Sequence, residues 1–468
     1  MTFDCPVSLT TAAFAHTLHA GVVPLPCDLP PHTLHTEPYI EPYVSANVRP
    51  QPLPVIALGG GVTLTAALNV LRQSEIPSYA LCPQTDFVQH SRWYRALPTA
   101  LPNPGPNDLQ VLLESLEIES AVLLPCSDDW LRAVATLPAS LARRFPSSTS
   151  RSCVELLTDK WRFAALLERF GVPRPRTQLI SSREQFDHLP DSHFAGAILK
   201  PLSSVDFACR HGVKGYLVGN RREAANLVNQ LELPIMLQEF IPGPPHAGYF
   251  LDGFRDRTGR ITALFGRQRL RMYPQKLGNS TFIESVPLHD LHGAVLPLEY
   301  LLEKISYRGV FSAEFKFDER DGAFKLIEIN ARPWWYVEFA SRCGVDVCTM
   351  AYRDALGLPV DAVEDYEVGR RCVFALNDLR GWREQRHGSN ANLWSLFWSW
   401  LNSDSTPFHW NDPAPALRYL GQTVAGFFPT GLRRKPTLES QRTVKKGAPS
   451  EHLQPITAPR IGSASAAK

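Results

Sequence analysis

The stretch FSAEFKFDERDGAFKLIEINARPWW, residues 311–335, decides the fold. Apolar and polar residues alternate over 311–318 and again over 325–330, with a short charged turn between the two runs. Because alternation with a period of two is typical of strands, the stretch predicts a β-hairpin. Each strand then has one polar face, made of Glu314, Lys316 and Asp318 on the first strand and of Glu328, Asn330 and Arg332 on the second.

The polar face of the hairpin carries the kinds of ligand that a magnesium ion takes in proteins. Mg²⁺ prefers oxygen ligands and is usually held by one or two carboxylates together with substrate phosphates. Glu314, Glu328 and Asn330 offer such oxygens. Arg332 can stabilise a phosphoryl group during its transfer. A solvated hairpin face is the alternative, but the sequel Asn-x-Arg-Pro-Trp-Trp is unusual for one, so we interpret the hairpin as a metal–nucleotide site.

Two lysines upstream of the hairpin stand beside apolar, strand-like segments. Lys200 lies near the end of AILKP, residues 197–201, and Lys214 begins KGYLV, residues 214–218. Burying an ammonium group is unfavourable unless it meets an anion. A triphosphate would supply that anion, and a structural ion pair for either lysine is the alternative.

Together these motifs resemble the ATP-grasp superfamily, and in particular its carboxylate–amine ligase-like members. The resemblance covers residues 150–360, and the order and spacing of its pieces make it specific. The matching pieces are Asp159-Lys160, Leu199-Lys200-Pro201, Gln238-Glu239-Phe240-Ile241-Pro242-Gly243, Ala313-Glu314-Phe315 and Glu328-Ile329-Asn330-Ala331-Arg332-Pro333. The fold class that it implies is α/β, with an α+β ATP-grasp core of two lobes, a preceding Rossmann-like α/β domain and a helical C-terminal extension.

The resemblance also implies a binding site. Its ATP-binding residues would be Lys160, Lys200, Lys214, Gln238, Glu239, Phe240 and Ile241. Glu314, Glu328 and Asn330 would bind two Mg²⁺ ions, which Mn²⁺ can replace. Arg332 would face the γ-phosphate or the acyl phosphate.

The reaction that the resemblance implies begins with the transfer of a phosphoryl group from ATP to a carboxylate. An amine then attacks the acyl phosphate, so the expected activity is an ATP- and Mg-dependent ligase that joins a carboxylate to an amine. An amino acid is one candidate for the amine. A bicarbonate-using carboxylase or carbamoyl-phosphate-type enzyme, and a non-catalytic ATP-binding module, stay open as alternatives.

The loop between the two lysines departs from the family pattern. Members usually carry several glycines there, which close over the phosphates, whereas residues 202–213 contain one glycine, Gly212. Ser203 and Ser204 could donate hydrogen bonds to phosphate in their place.

Three arginines occupy alternate positions of a strand-like segment, Arg267, Arg269 and Arg271. Alternate residues of a strand share a face, and arginine suits bidentate recognition of carboxylates. We predict that at least one of them, with Arg271 as the first choice, faces the acyl substrate or its phosphate; an exposed basic edge is the alternative. Residues 276–281 are predicted to form a mobile active-site loop.

A β–α–β pattern begins near Pro54 and contains the glycine turn at 59–61. Such a turn exposes backbone amides at a helix N-terminus. A dinucleotide site is disfavoured because the third glycine of the fingerprint is missing and no acidic residue ends the second strand. A Rossmann-type oxidoreductase is therefore the weakest interpretation. A third strand is followed by Ser127 and Asp128, which are predicted to contact a ligand, and a helix cap is the alternative for Asp128.

Composition along the chain predicts the domain organisation. The predicted segments are a disordered, proline-rich arm at 1–50, a pre-ATP-grasp α/β domain at 51–150, the ATP-grasp domain at 151–360, a helical C-terminal extension at 361–432 and a disordered basic tail at 433–468. The tail has eight Lys or Arg against two Asp or Glu, although the net charge of the whole chain is only +2. This near-balance argues against nucleic acid as a substrate.

Other features of the sequence concern location and partners. No apolar run reaches the ~18 residues of a membrane-spanning helix. The apolar stretch LWSLFWSWL, residues 393–401, is predicted to be a buried core helix rather than a helix on a membrane surface. Nine cysteines without a CxxC pair argue against a disulfide framework and favour a cytoplasmic location. The expected partners are the small-molecule carboxylate and amine, and a homodimer stays open.

Overall fold

The computed structural model describes residues 52–202, 214–385 and 393–425. The chain divides into two units, Met1–Ala416 and Leu417–Lys468, and the first contains every element named below except most of the last helix. The predictions for the arm at 1–50, the loop at 203–213 with its two serines, and the tail at 433–468 lie outside the described residues.

The first described domain is built on three parallel strands, two of them fully buried. Its elements are β1 (Val55–Leu58), α1 (Gly61–Gln73), β2 (Ser78–Leu81), α2 (Leu109–Ser115), β3 (Val122–Pro125), α3 (Asp128–Ala135) and α4 (Ala139–Arg144). β1 lies between β2 and β3 and pairs with both in parallel. The continuous apolar runs VIAL and VLLP suit strands that are covered on both faces. The predicted β–α–β start is confirmed.

The next region forms a lobe around a four-stranded antiparallel sheet of order β4-β7-β5-β6. Its elements are α5 (Arg151–Thr158), α6 (Lys160–Arg169), β4 (Thr177–Ile180), α7 (Arg183–His188), β5 (Ala197–Pro201), β6 (Tyr216–Val218), α8 (Arg221–Val228) and β7 (Ile235–Glu239). Asp159 caps α6, because its carboxylate accepts the N–H groups of Trp161 and Arg162 at 2.9 Å each. Lys160 is therefore fixed as the first residue of α6.

The second lobe is a seven-stranded sheet of order β12-β11-β8-β9-β10-β13-β14. Its first elements are β8 (Gly248–Arg255), β9 (Ile261–Tyr273), β10 (Asn279–Ser285), α9 (His292–Lys304), β11 (Gly309–Asp318), β12 (Ala323–Asn330), α10 (Val337–Arg342) and α11 (Val347–Ala355). The predicted hairpin is confirmed: β11 and β12 are antiparallel, with Glu314 directly opposite Glu328. Phe311 and Phe315 pack into the core with leucines of α9, which leaves the other face of β11 to its polar residues.

The C-terminal elements of the described chain are β13 (Arg371–Val373), α12 (Ala375–Gln385), α13 (Leu393–Leu401), β14 (Asp404–Ser405) and α14 (Ala414–Ala425). β13 pairs with β10, and β14 pairs with β13. The predicted helical extension therefore also contributes two short strands that widen the main sheet.

Helix α13 is not the buried core helix that was predicted. Leu396 is its buried residue, whereas Trp394 and Trp398 are 72% and 69% exposed. A nine-residue helix can bury only the side that faces its neighbour, and here that side carries Leu396, so the rest of its apolar surface meets solvent. None of the helices in the described ranges is long and apolar enough to cross a bilayer.

Candidate active site

A cavity of about 410 Å³ has walls from both lobes, a volume typical of small-molecule sites. Every residue predicted to bind ATP or metal lines it, namely Lys160, Lys200, Lys214, Gln238, Glu239, Phe240, Ile241, Glu314, Glu328 and Asn330. Arg332 and Asp128 line the same cavity. The fold thus brings together groups that lie far apart in the sequence.

The cavity is strongly cationic. Eight Lys or Arg side chains line it, against four Asp or Glu. Lys200 Nζ donates a hydrogen bond to Gln238 Oε1 at 2.7 Å. Burial, together with the nearby charges of Lys160 and Lys214, lowers the pKa of Lys200 to about 8. Burial also lowers the pKa of Lys160. A bound polyanion would offset this desolvation and repulsion, which makes the cavity suited to phosphates.

The lowered pKa of Lys200 predicts that ATP binding weakens at alkaline pH. Below about pH 8, Lys200 of the ATP-free protein is protonated and attracts phosphate. Above about pH 8, Lys200 is mostly neutral and must take up a proton when ATP binds. We expect metal-free ATP affinity to fall by up to about tenfold per pH unit above this value. Calorimetric titrations between about pH 7 and about pH 9.5 in two buffers would measure affinity and proton uptake. The Lys200→Met variant should show a flatter profile, and an unchanged wild-type affinity across this range would contradict the assignment.

Apolar side chains line the part of the cavity beside β7. This wall consists of Ile198, Met236, Ile241 and Leu326. It offers an environment of low polarity to a planar ring such as the adenine of ATP. The Phe240 N–H already donates to the Gly196 carbonyl oxygen at 2.9 Å.

The carboxylate of Glu239 is already engaged by other residues of the chain. Its Oε1 accepts from Arg320 Nη2 at 2.7 Å, and its Oε2 accepts from the Arg176 N–H at 3.2 Å. The ribose contact predicted for Glu239 would therefore compete with Arg320.

The two glutamates of the hairpin face each other across the strand pair, as a shared metal site requires. Glu314 Oε1 accepts from Arg269 Nη2 at 2.8 Å, and Asn330 Nδ2 donates to Glu328 Oε1 at 3.3 Å. Two carboxylates and an amide oxygen are hard ligands that fit Mg²⁺. Within the described residues, no group of three or more His, Cys, Asp or Glu could hold a metal by itself. Mg²⁺ in proteins is usually bound by one or two carboxylates, with substrate phosphates and water molecules as its other ligands.

Arg332 connects the hairpin to the first domain. Its Nε donates to Asp128 Oδ1 at 2.7 Å, and its Nη2 donates to Asn330 Oδ1 at 3.1 Å. Burial by itself would lower the pKa of Arg332, but the Asp128 carboxylate raises it, so the guanidinium stays charged.

Ser127 is the cap of α3, because its hydroxyl oxygen accepts a hydrogen bond from the Trp130 N–H at 3.5 Å. The cap is therefore Ser127 and not Asp128, and of the two predicted ligand contacts it is Asp128 that lines the cavity.

Arg271 does not line the cavity, contrary to the position predicted for it; Arg269 does. Arg271 Nη2 donates to Asp378 Oδ2 at 2.6 Å, and its guanidinium lies 4.1 Å from the centre of the Phe282 ring. The predicted shared face exists, but helix α12 packs near one end of β9, and its buried Asp378 neutralises Arg271 there. Of the three arginines on β9, the one at the cavity is therefore Arg269, which pairs with Glu314.

Lys316 is a cavity residue that was not assigned a role from the sequence. Its Nζ donates to the carbonyl oxygens of Gly243 and Pro244 at 3.2 and 2.6 Å. Burial and the nearby Arg269 lower the pKa of Lys316 to about 8. The signal was present, since Lys316 shares the polar hairpin face with Glu314.

A side-chain hydrogen bond between Lys214 of the first lobe and Asn279 of the second lobe lies at the edge of the cavity. Lys214 Nζ donates to Asn279 Oδ1 at 2.9 Å. Of the predicted active-site loop at 276–281, residues 276–279 line the cavity, but β10 already begins at Asn279. The loop is therefore shorter than predicted.

At the glycine turn, residues 59–61, a carboxylate of the chain itself accepts the exposed backbone N–H. The Gly61 N–H donates to Asp86 Oδ2 at 2.8 Å, and a Cβ placed on Gly60 would lie 2.4 Å from the same oxygen. Asp86 thus takes the position at the N-terminus of α1 that an anion would favour. This contact disfavours the dinucleotide interpretation.

We expect Asp86→Ala to lower the free energy of unfolding by about 2 kcal/mol, because the Gly61 and Val88 N–H groups lose a charged acceptor. Urea unfolding followed by circular dichroism would measure the change. Asp361→Ala, at an exposed position, is the matched control. Equal stability of the two variants would contradict a structural role for Asp86.

Parts of this chain are similar to known proteins. No family model matches the sequence. A D-aspartate ligase of Enterococcus faecium is 22% identical over 249 residues, 50% of this chain and 58% of the relative. The C-terminal section of a carbamoyl phosphate synthase large chain of Methanopyrus kandleri is 22% identical over 231 residues, 45% of this chain and 40% of the relative. The chain thus spans about half the length of the curated relatives it matches.

A solved structure shows the same fold. The biotin carboxylase domain of the Hydrogenobacter thermophilus 2-oxoglutarate carboxylase, in complex with MgADP, ADP and bicarbonate, superposes with a TM-score of 0.54. The two proteins are 16% identical, and the match covers 68% of this chain and 73% of that domain. The predicted two-lobed α/β fold is therefore confirmed. The sequence similarity to a D-aspartate ligase and to a carbamoyl phosphate synthase agrees with the resemblance of this chain's motifs to the ATP-grasp superfamily.

Proposed function

We propose that the protein is an ATP- and Mg-dependent ligase that activates a carboxylate as an acyl phosphate and joins it to an amine. The observation that carries the proposal is the convergence of lysines from the first lobe with Glu314 and Glu328 of the second lobe in one cavity. Lysines suit phosphates, and the paired glutamates suit a divalent cation held between protein and phosphate. The D-aspartate ligase among the relatives favours an amino acid as one of the two substrates.

In this proposal the residues position the reactants and stabilise charge. Lys160, Lys200 and Lys214 bind the phosphates, and Glu314, Glu328 and Asn330 hold Mg²⁺, with two ions expected and Mn²⁺ as a substitute. The bound metal supplies further neutralisation of phosphate charge. Arg332 lies beside these ligands and stabilises the phosphoryl group in transit. We place this ATP-consuming activity in the cytoplasm.

Two bond exchanges make up the proposed reaction. A substrate carboxylate oxygen forms a bond to the γ-phosphorus as the bond from that phosphorus to ADP breaks. The amine nitrogen then forms a bond to the acyl carbon as inorganic phosphate leaves, and the amine loses a proton. Cationic side chains around the cavity favour both steps, because each step carries negative charge on phosphoryl oxygens that these side chains can stabilise.

A carbamoyl-phosphate-type or bicarbonate-using enzyme is the second candidate, favoured by the carbamoyl phosphate synthase relative. One assay separates the candidates. The purified protein is incubated with Mg-ATP and pooled carboxylates and amines, with and without bicarbonate, and ADP, phosphate and new amides are measured. ADP release with an amide product supports the ligase. Turnover that needs bicarbonate supports the second candidate, and ATP binding without turnover in any pool would identify a non-catalytic ATP-binding module.

A further inference from the structure

An ion pair joins the two lobes beside the cavity. Glu239 ends β7 of the first lobe, and Arg320 lies in the turn between β11 and β12 of the second lobe. Arg320 Nη2 donates to Glu239 Oε1 at 2.7 Å. The Glu239 side chain is 20% exposed and lines the cavity, whereas the Arg320 side chain is 52% exposed and does not line it. The bond therefore holds one oxygen of a cavity carboxylate toward a group outside the cavity wall.

Arg320 is held in place by a buried carboxylate of its own lobe. Its Nε donates to Asp318 Oδ1 at 2.8 Å, and its Nη2 donates to Asp318 Oδ2 at 2.7 Å. The Asp318 side chain is only 3% exposed. Paired hydrogen bonds between an arginine and a carboxylate are strong and fix the orientation of the guanidinium. Arg320 therefore keeps a charged partner and its position when Glu239 turns away from it.

The two partners of the Glu239 carboxylate differ in how easily a ligand can replace them. Oε2 accepts from the Arg176 N–H at 3.2 Å. This N–H is a main-chain group of the same lobe, and it directly precedes β4, which pairs with β7, so the sheet fixes its position. Arg320 is instead a partly exposed side chain of the other lobe that has a second partner. The bond that a ligand of the cavity can displace is therefore the bond to Arg320.

We propose that the Arg320–Glu239 pair is a latch that the ribose of ATP displaces, so that Arg320 lowers the affinity for ATP and weakens discrimination against nucleotides without ribose hydroxyls. The ribose hydroxyls donate to the Glu239 oxygen that Arg320 releases, and the guanidinium stays on Asp318. A partly exposed ion pair is weak enough for such an exchange. This inference rests on the proposed function, because it takes ATP as the ligand of the cavity.

The test is an equilibrium titration of the full chain with Mg-ATP and, in parallel, with the Mg complex of 2′,3′-dideoxy-ATP, which lacks both ribose hydroxyls. Arg320→Gln should bind Mg-ATP about two- to fivefold more tightly than the wild type, the size expected for loss of a partly exposed ion pair. It should not gain affinity for the dideoxy nucleotide, since no hydroxyl then competes for Glu239. The ratio of the two affinities is the readout, because the loss of a positive charge near phosphates would weaken both nucleotides alike.

A double-variant cycle tests whether the effect of Arg320 passes through Glu239. In the Glu239→Gln background, adding Arg320→Gln should leave the affinity for Mg-ATP unchanged, because the ion pair is already absent. The matched control is Arg222→Gln, which removes a positive charge from an exposed position of α8. This control should bind both nucleotides like the wild type. Thermal unfolding of each variant would verify the fold.

The latch is overturned if Arg320→Gln binds Mg-ATP as the wild type does, or if the affinities for the two nucleotides change equally. It is also overturned if Arg320→Gln binds Mg-ATP more weakly and the dideoxy nucleotide unchanged, because Arg320 would then hold Glu239 in position for the ribose. These results leave the proposed function standing, since Mg-ATP still binds. A wild-type protein that does not bind Mg-ATP would overturn the latch and the proposed function together.

Discussion

Replacing Glu328 by Gln is expected to reduce Mg-ATP turnover by about 10³-fold, because the metal loses one of its two carboxylate ligands. Stabilisation of the transition state by a bound metal is worth several kcal/mol, which corresponds to a rate change of this size. Glu328 is exposed at the cavity wall and lies directly opposite Glu314. The substitution removes a charge without opening a void, so the fold should be unaffected. ADP release at saturating Mg-ATP would measure the loss, and thermal unfolding would verify the fold.

The matched control for this variant is Glu299→Gln, which removes the same charge from an exposed position on α9. It should keep full turnover. A Glu328→Gln protein that turns over at the wild-type rate would falsify the metal assignment. If turnover is lost but is restored by higher Mg²⁺ or Mn²⁺, the glutamate contributes affinity for the metal, which still agrees with the proposed site.

Replacing Arg332 by Ala is expected to lower kcat by about 10³-fold, with ATP affinity changed only a few-fold. The guanidinium lies beside Asn330 and stays charged, so it can stabilise charge that develops during phosphoryl transfer. A contact made mainly in the transition state affects kcat more than ground-state binding. Steady-state kinetics and equilibrium titration with ATP separate these two quantities.

Asp128→Asn distinguishes the two roles that Arg332 could have. Asp128 pairs with Arg332 Nε at 2.7 Å, and its side chain is 40% exposed. If Arg332 acts on the phosphoryl group, the Asn variant should keep turnover within about tenfold of the wild type, because the guanidinium remains. Equal losses in Arg332→Ala and Asp128→Asn would show that the pair serves only to hold the first domain against the hairpin.

The hairpin and its site residues could be predicted because their signal is local. Strand alternation placed Glu314 and Glu328 on polar faces, and the order of the motifs along the chain indicated which lysines would join them. The pairing of the two strands then followed from the short turn between them. Lys316 belonged to the same face, so its position at the cavity was within reach of the same reasoning.

The features that could not be predicted depend on partners distant in the sequence. The sequence predicted Arg271 at the substrate because Arg269 and Arg271 occupy equivalent alternate positions of the same strand. What distinguishes them is the ion-pair partner of Arg271, Asp378, which lies 107 residues away in the sequence. The apolar sequence of α13 is compatible with either a buried or an exposed helix. Which side is covered depends on tertiary contacts such as the hydrogen bond from Trp400 to Asp378. The bond from Asp86 to Gly61 spans 25 residues and has no local signature.

The central claim is that the cavity between the lobes is a Mg-ATP site, and equilibrium titration with Mg-ATP tests it without knowledge of the other substrates. The wild type should bind at one site. Lys160→Met and Lys200→Met should each weaken binding about tenfold to a hundredfold, since each removes a charged hydrogen bond to phosphate. Lys304→Met, which changes an exposed lysine of α9, should bind like the wild type. Wild-type affinity in both cavity variants, or no binding of Mg-ATP to the wild type, would contradict the claim.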